Sequence, residues 1–283
     1  LFIFRAIEKS KYKVVYQQKR YYFDFNEVDM LFDSHAHYDD EKFQDDREEV
    51  LAKAHEEGIS YILNAASDID TSLTSMAMAQ KFDFIYAAVG VHPHSANTMD
   101  ESTIARITEM VKSPKVVAIG EIGLDYYYDY SPKDMQKYWF KRQLELAGEI
   151  SMPVIVHDRD AHEDIIKILK ESEISQIGGV MHCFSGGREM AKILLDMGFY
   201  LSFGGPVTFK NARKAIEVLQ YVPMDRMLIE TDSPYLSPEP LRGKRNDSRN
   251  VRLVAEKIAE IKGLDLEFVA SETLNNARRL FGI

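Results

Sequence analysis

The chain has 283 residues, 45% hydrophobic and 28% charged, with a net charge of −10 and one cysteine. This is an ordinary globular composition, able to bury the core of one large domain or two small ones. It excludes an intrachain disulfide, any helix of about 18 or more apolar residues that would span a membrane, and a nucleic-acid binder with a broadly basic face.

Residues 1–29 are rich in Tyr and Phe, do not begin with Met, and carry six Lys/Arg against four Asp/Glu, so the remainder is more acidic still. They have neither the apolar core of a signal peptide nor the acid-poor composition of a transit peptide. The reading is an appendage or upstream-translated segment, with a single working domain over 30–283. From Met30 onward short β-rich runs alternate with stretches of helical period. Strands are predicted at 30–34, 59–66, 84–91, 115–122, 153–157, 178–183, 199–204 and 226–231. Helical patterns include 47–58, 132–150, 161–172, 188–198 and two at the C-terminus, with Gly58 and Gly198 as stop signals. Alternating units of this number and length predict an α/β fold of the (β/α)8 TIM-like barrel type. The alternative, an open doubly wound sheet, lacks its Gly-rich loop after the first strand.

Six residues able to bind metal sit where predicted strands run out: His35 and His37, Glu121, His157, His182 and Asp232. Side chains alternate across a strand. Parity therefore groups Leu31, Asp33, His35 and His37; Val117, Ile119 and Glu121; Ile155 and His157; Val180 and His182; and Leu228, Glu230 and Asp232. Apolar residues fall deep and ionisable ones at C-terminal strand ends, the gradient of a barrel with its active site at the top. One histidine at a strand end is an ordinary core residue, and H-x-H is a weak motif. Together they point to metal, because unpaired buried carboxylates cost several kcal/mol, on the order of an ion's desolvation, and a polyvalent cation offsets them jointly. Six ligands exceed one tetrahedral site and suit two divalent ions about 3.5–4 Å apart with Glu121 as the bridge. Imidazole-rich ligands favour Zn, Mn, Co or Ni, and a phosphate substrate brings in Mg. Asp33 and Glu230 are candidates for orienting the ligand histidines.

The motifs DSHAHYD, GVHPH, GEIGLDYY, VHDR, HCFSG, GGPVTFKN, ETDSPYLSP and RGKRN, in that order, resemble the TatD-type metal-dependent deoxyribonucleases of the amidohydrolase superfamily. The resemblance runs from Met30 to the C-terminus. It implies a TIM-like barrel, a divalent metal centre held by His35, His37, Glu121, His157, His182 and Asp232, and hydrolysis of DNA from an end. Attack by a metal-activated hydroxide is the expected chemistry, with Asp232 as general base and Glu121 as its catalytic partner. Arg159 is expected to hold a phosphate oxygen, or else to cap a helix or form a surface ion pair; His92 and His94 are expected to line the pocket or contact phosphate, or else to be structural imidazoles beside Pro93. Arg242, Lys244 and Arg245 form a basic loop offering the local positive charge that an acidic protein needs for DNA, or else a solvated charge run. Gly204, Gly205 and Lys210 follow the seventh strand, a common phosphate site in barrels. Tyr126, Tyr127 and Tyr128 pack over the rim or stack on bases. Cys183 has the opposite parity to His182 and reads as inert core. The competing readings are a hydrolase of a small amide, lactone or ester on the same barrel, and a metal-dependent interaction protein without turnover. The single cysteine suits a reducing, cytoplasmic location, and no membrane or obligate protein partner is indicated.

Overall fold

The computed structural model describes residues 30–128 and 130–283, together with the backbone of 11–16 and 19–24. The reading of 1–29 as an appendage therefore lies largely outside the described residues. Its described part is an antiparallel pair, β1 (Lys11–Tyr16) and β2 (Lys19–Asp24), in a sheet of its own.

Eight parallel strands make the second sheet: β3 (Leu31–Ala36), β4 (Ile59–Ala65), β5 (Ile85–Val89), β6 (Val116–Asp125), β7 (Val154–Arg159), β8 (Gly179–Met181), β9 (Tyr200–Phe203) and β10 (Met227–Ile229). They pair in chain order, and the edges β3 and β10 are joined by a parallel bridge from Ala36 to Ser233. The protein is a (β/α)8 barrel, not an open sheet. Helices follow the strands: α1 (Arg47–Glu56), α2 (Ile69–Lys81), α3 (Glu101–Met110), α4 (Lys133–Ile150), α5 (His162–Glu171), α6 (Arg188–Asp196), α7 (Arg213–Tyr221), α8 (Val251–Lys262) and α9 (Leu266–Phe281). Gly58 and Gly198, just past α1 and α6, take φ of 98° and 83°, which a side chain would oppose. Predicted strand boundaries miss by up to three residues, because hydrophobic runs do not mark where ladder hydrogen bonds stop.

Two apolar layers hold the barrel. Inside it, Phe32, Leu63, Ala88, Ala118, Ile155, Val180, Tyr200 and Leu228 fill the floor, closed by Leu274, Ala277 and Phe281 of α9. Outside it, Val89, Ile119, Val154 and Met181 pack with helix residues such as Leu51, Phe140 and Leu194. Parity holds for β7, β8 and β10, whose Ile155, Val180 and Leu228 point inward. It fails for β3, where Leu31 is outer and Phe32 inner, and breaks within β6, where Val117 and Ala118 are both inner and Ile119 is outer. Register shifts between Leu31 and Phe32, Asp33 and Ala36, and Ile119 and Ile122 rotate these strands. Such irregularities re-aim side chains near active sites, and here they bring His35 and Glu121 to the inner face.

Candidate metal centre

Backbone hydrogen bonds toward the C-terminal ends of the strands fix the functional side chains. Glu121 N–H donates to Ala66 O at 3.0 Å, His182 N–H to Val156 O at 3.1 Å, and Asp232 N–H to His35 O at 2.9 Å. His37 N–H reaches Ser233 O at 2.7 Å, so the seam that closes the barrel also places His35, His37 and Asp232 together. Asp232 adopts φ of 57°, a left-handed conformation that costs a non-glycine residue and is retained where structure over-determines it.

Glu121 is the hub. Its Oε2 lies 3.2 Å from His35 Nε2 and 3.6 Å from His37 Nε2. Its Oε1 lies 2.6 Å from His157 Nδ1, 2.9 Å from His182 Nε2 and 3.6 Å from His92 Nε2. Asp232 Oδ1 completes the first side, 3.3 Å from His37 Nε2. All six residues named from strand ends converge, and three donor groups result: His35, His37 and Asp232; His35, Glu121 and His182; and His92, Glu121 and His157. His92, expected to contact phosphate or line the pocket, is buried within the cluster itself.

The donor chemistry fits cations. His37 Nδ1 is 2.8 Å from Ala65 O, so Nδ1 carries a proton and Nε2 faces the cluster, where it would offer its lone pair to an ion in exchange for a second proton. There it sits 3.0 Å from His35 Nε2, and a buried His35 Nδ1 has no hydrogen-bond partner. The charges are strongly coupled. Burial pushes Glu121 up, but the charges of His182, His35 and His92 outweigh it and hold the carboxyl well below its ordinary range. Burial opposes the charge on His37, yet Asp232, Glu121 and Asp39 push its ring up to about 10. Burial and the neighbouring His182 lower His35, and burial with His157 lowers His92 further. Protons thus do here what a polyvalent cation would do, balancing two buried carboxylates.

Glu230, buried, meets His182 Nδ1 at 3.3 Å and accepts from Cys183 N–H at 2.7 Å, so it touches a cluster ring as expected. Asp33 differs. It accepts from Thr231 N–H at 2.8 Å and from the Thr231 hydroxyl, locking the β3–β10 seam rather than an imidazole. The residue that sequence reasoning missed is Asp125, whose Oδ2 lies 3.2 Å from His157 Nε2 and 2.8 Å from His94 Nε2. The signal was period-two continuation from Glu121 through Gly123 to Asp125; the predicted strand stopped at 122 and hid it.

The cluster opens into a cavity of about 720 Å³ whose walls include His94, Tyr128, Tyr130, Arg159, Tyr235 and Leu236. Arg159 lies over the Tyr127 ring at 4.1 Å, and Tyr128 and Tyr130 stack at 5.3 Å. Tyr126 instead donates to Asp164 at 2.5 Å and packs. None of Arg242, Lys244 and Arg245 lines this cavity. Arg242 covers Phe209, and Arg245 pairs with both oxygens of Asp46 at 2.9 and 2.6 Å. Their proximity in sequence to the eighth strand is not proximity to the cluster. Lys210 is absent from the walls as well. Gly204 lines a separate cleft of about 280 Å³ with Cys183, which is half-buried there rather than core. Burial, with Glu230 and Asp232 nearby, pushes the Cys183 thiol up.

Barrel and cluster together define a metal-dependent hydrolase. The family model for TatD-related DNases matches residues 32–282. The chain is 52% identical to an uncharacterized metal-dependent hydrolase, YabD, of Bacillus subtilis, over 90% of this chain and all of that one. It is 35% identical to the 3′-5′ ssDNA/RNA exonuclease TatD of Erwinia amylovora, over 89% and 100% of the two chains. The crystal structure of a TatD homologue from Escherichia coli superposes with a TM-score of 0.85 at 29% identity, covering 90% of this chain and 99% of that one. The chain belongs to the TatD-related family of metal-dependent hydrolases. Among the described residues no helix is long and apolar enough to cross a membrane.

Proposed function

We propose that the chain hydrolyses phosphodiester bonds in DNA, acting on an unpaired strand from its end, and that it does so in the cytoplasm. The observation that carries this reading is Glu121: its Oε2 faces His35 and His37 and its Oε1 faces His157, His182 and His92, at the base of a cavity walled by tyrosines and Arg159. In this reading His35, His37, Glu121, His157, His182 and Asp232 would hold two divalent ions, with His92 beside them. When bound, such ions lower the pKa of water and neutralise charge on a phosphoryl group.

The chain's own groups do the rest. Asp232 is the cluster acid nearest solvent, its side chain 14% exposed against 3% for Glu121, so it receives the proton of the attacking water. Glu121, deeper and shared, holds the two sides of the cluster at fixed separation. Arg159 offers a planar fork to a phosphate oxygen, and Tyr128 and Tyr130 offer π-faces to unpaired bases. The relative named as a ssDNA/RNA exonuclease supports a single strand as substrate.

The test is reconstitution. Chelator-stripped protein is reloaded with Mn, Zn, Mg, Co or Ni and given end-labelled single- and double-stranded oligonucleotides beside amide, lactone and ester panels. Metal-restored shortening of the single strand, absent in Glu121→Ala, is expected. Turnover confined to a small amide, lactone or ester would replace this reading.

A further inference from the structure

Asp125 has no place in the cluster just described, yet its side chain makes four contacts. Its Oδ2 spans His157 Nε2 at 3.2 Å and His94 Nε2 at 2.8 Å, while its Oδ1 accepts from the backbone N–H groups of Tyr127 and Tyr128 at 3.0 and 2.9 Å. It is 1% exposed. A buried carboxylate is retained where every acceptor position is used, and these four partners belong to two different parts of the site. His157 turns its other nitrogen, Nδ1, to Glu121 at 2.6 Å. Tyr127 and Tyr128 carry the aromatic rings on which Arg159 lies.

We propose that Asp125 is a positioning residue that sets the orientation of His157 toward Glu121 and, through its second oxygen, the turn bearing the tyrosines, so that ion affinity and strand binding depend on one carboxylate. An Nε2–H held by a carboxylate fixes the tautomer with a lone pair on Nδ1 and raises its basicity. The half of the proposal concerning strand binding rests on the nuclease reading; the half concerning ions does not.

A merely structural role is separable because a second buried side chain clamps the same loop without touching a histidine. Gln136 Oε1 accepts from Asp125 N–H at 2.9 Å, and its Nε2 donates to Asp125 O at 3.0 Å and Ser131 O at 2.8 Å. The experiment is calorimetric titration of Mn into chelator-stripped wild type, Asp125→Asn, Asp125→Glu and Gln136→Ala, with thermal melts, and anisotropy of a labelled oligothymidylate on the metal-loaded proteins. Asp125→Asn should weaken Mn binding about 10–100-fold, the usual effect of losing such a partner, and weaken the oligothymidylate too. Asp125→Glu, which keeps the charge but displaces it, should lose an intermediate amount and stands in where the asparagine variant does not fold. Gln136→Ala should lower the melting temperature with Mn affinity close to wild type. Wild-type Mn affinity in both Asp125 variants, or an equal loss in Gln136→Ala, overturns the proposal. Weakened Mn binding with unchanged oligothymidylate binding overturns the coupling alone.

Discussion

At the residue scale, the buried carboxylates divide by what surrounds them. Glu121 and Asp232 face imidazoles and stay ionised; Asp33 faces only hydroxyl and amide donors. Burial pushes Asp33 from its ordinary 3.8 up to about 7, despite hydrogen bonds from Ser248 and Thr231. A carboxyl whose pKa is higher in the native than in the unfolded state binds its proton more tightly when folded. Native stability therefore falls as pH climbs from about 4 to 7. Asp33→Asn has no such titration and keeps an acceptor for Thr231 N–H. In urea unfolding of chelator-stripped protein, wild type should lose on the order of 2–4 kcal/mol relative to Asp33→Asn between about pH 4 and pH 7. A difference that does not move with pH would show Asp33 to be ionised throughout. Parity assigned Asp33 to the histidines because it counts residues and not register shifts.

At the element scale, β6 and β7 approach so closely that Gly123, at φ 147°, would put a Cβ 2.0 Å from His157 O. That contact lets Glu121 and Asp125 flank His157 from one strand. Gly123→Ala should destabilise the protein by at least about 2 kcal/mol, since overpacking and backbone strain each cost about 1–3. Gly148 in α4 has nothing within 4 Å of its added Cβ, so Gly148→Ala should stabilise by about 0.5–1 kcal/mol through helix propensity. Denaturant midpoints moving in the same direction for both would contradict this account. The helix α5, with its strong apolar period, was readable from the sequence. By contrast α2, with Ser72, Ser75, Met78 and Ala79 as its buried residues, was not singled out, because a small polar face against a strand resembles a loop.

At the scale of the whole molecule, an acidic chain opens an acidic cavity: Asp39, Asp40, Glu121, Asp125 and Asp232 line it, with Arg159 the one Arg or Lys beside the cluster histidines among the described lining residues. Affinity for a single strand should thus come from bound ions and stacking more than from counterion release. Each neutralised phosphate contributes about −0.7 to the slope of log affinity against log salt, so a slope no steeper than about −2 is expected at fixed divalent metal. Charge reversal at Arg242 and Lys244 should leave it unchanged. A slope beyond about −4, cut by that reversal, would return the basic loop to the binding surface.

The sequence by itself determined the barrel, through strand and helix periods repeated in alternation, and the six strand-end groups, because polar residues closing apolar runs can only be met by a ligand or a bond. Distances between segments decided the rest. Which face His35 and Glu121 present, the inclusion of His92, the role of Asp125 and the withdrawal of Arg245 to Asp46 all depend on register shifts and loop paths. Those are set by packing between residues far apart in the chain, which local pattern does not encode.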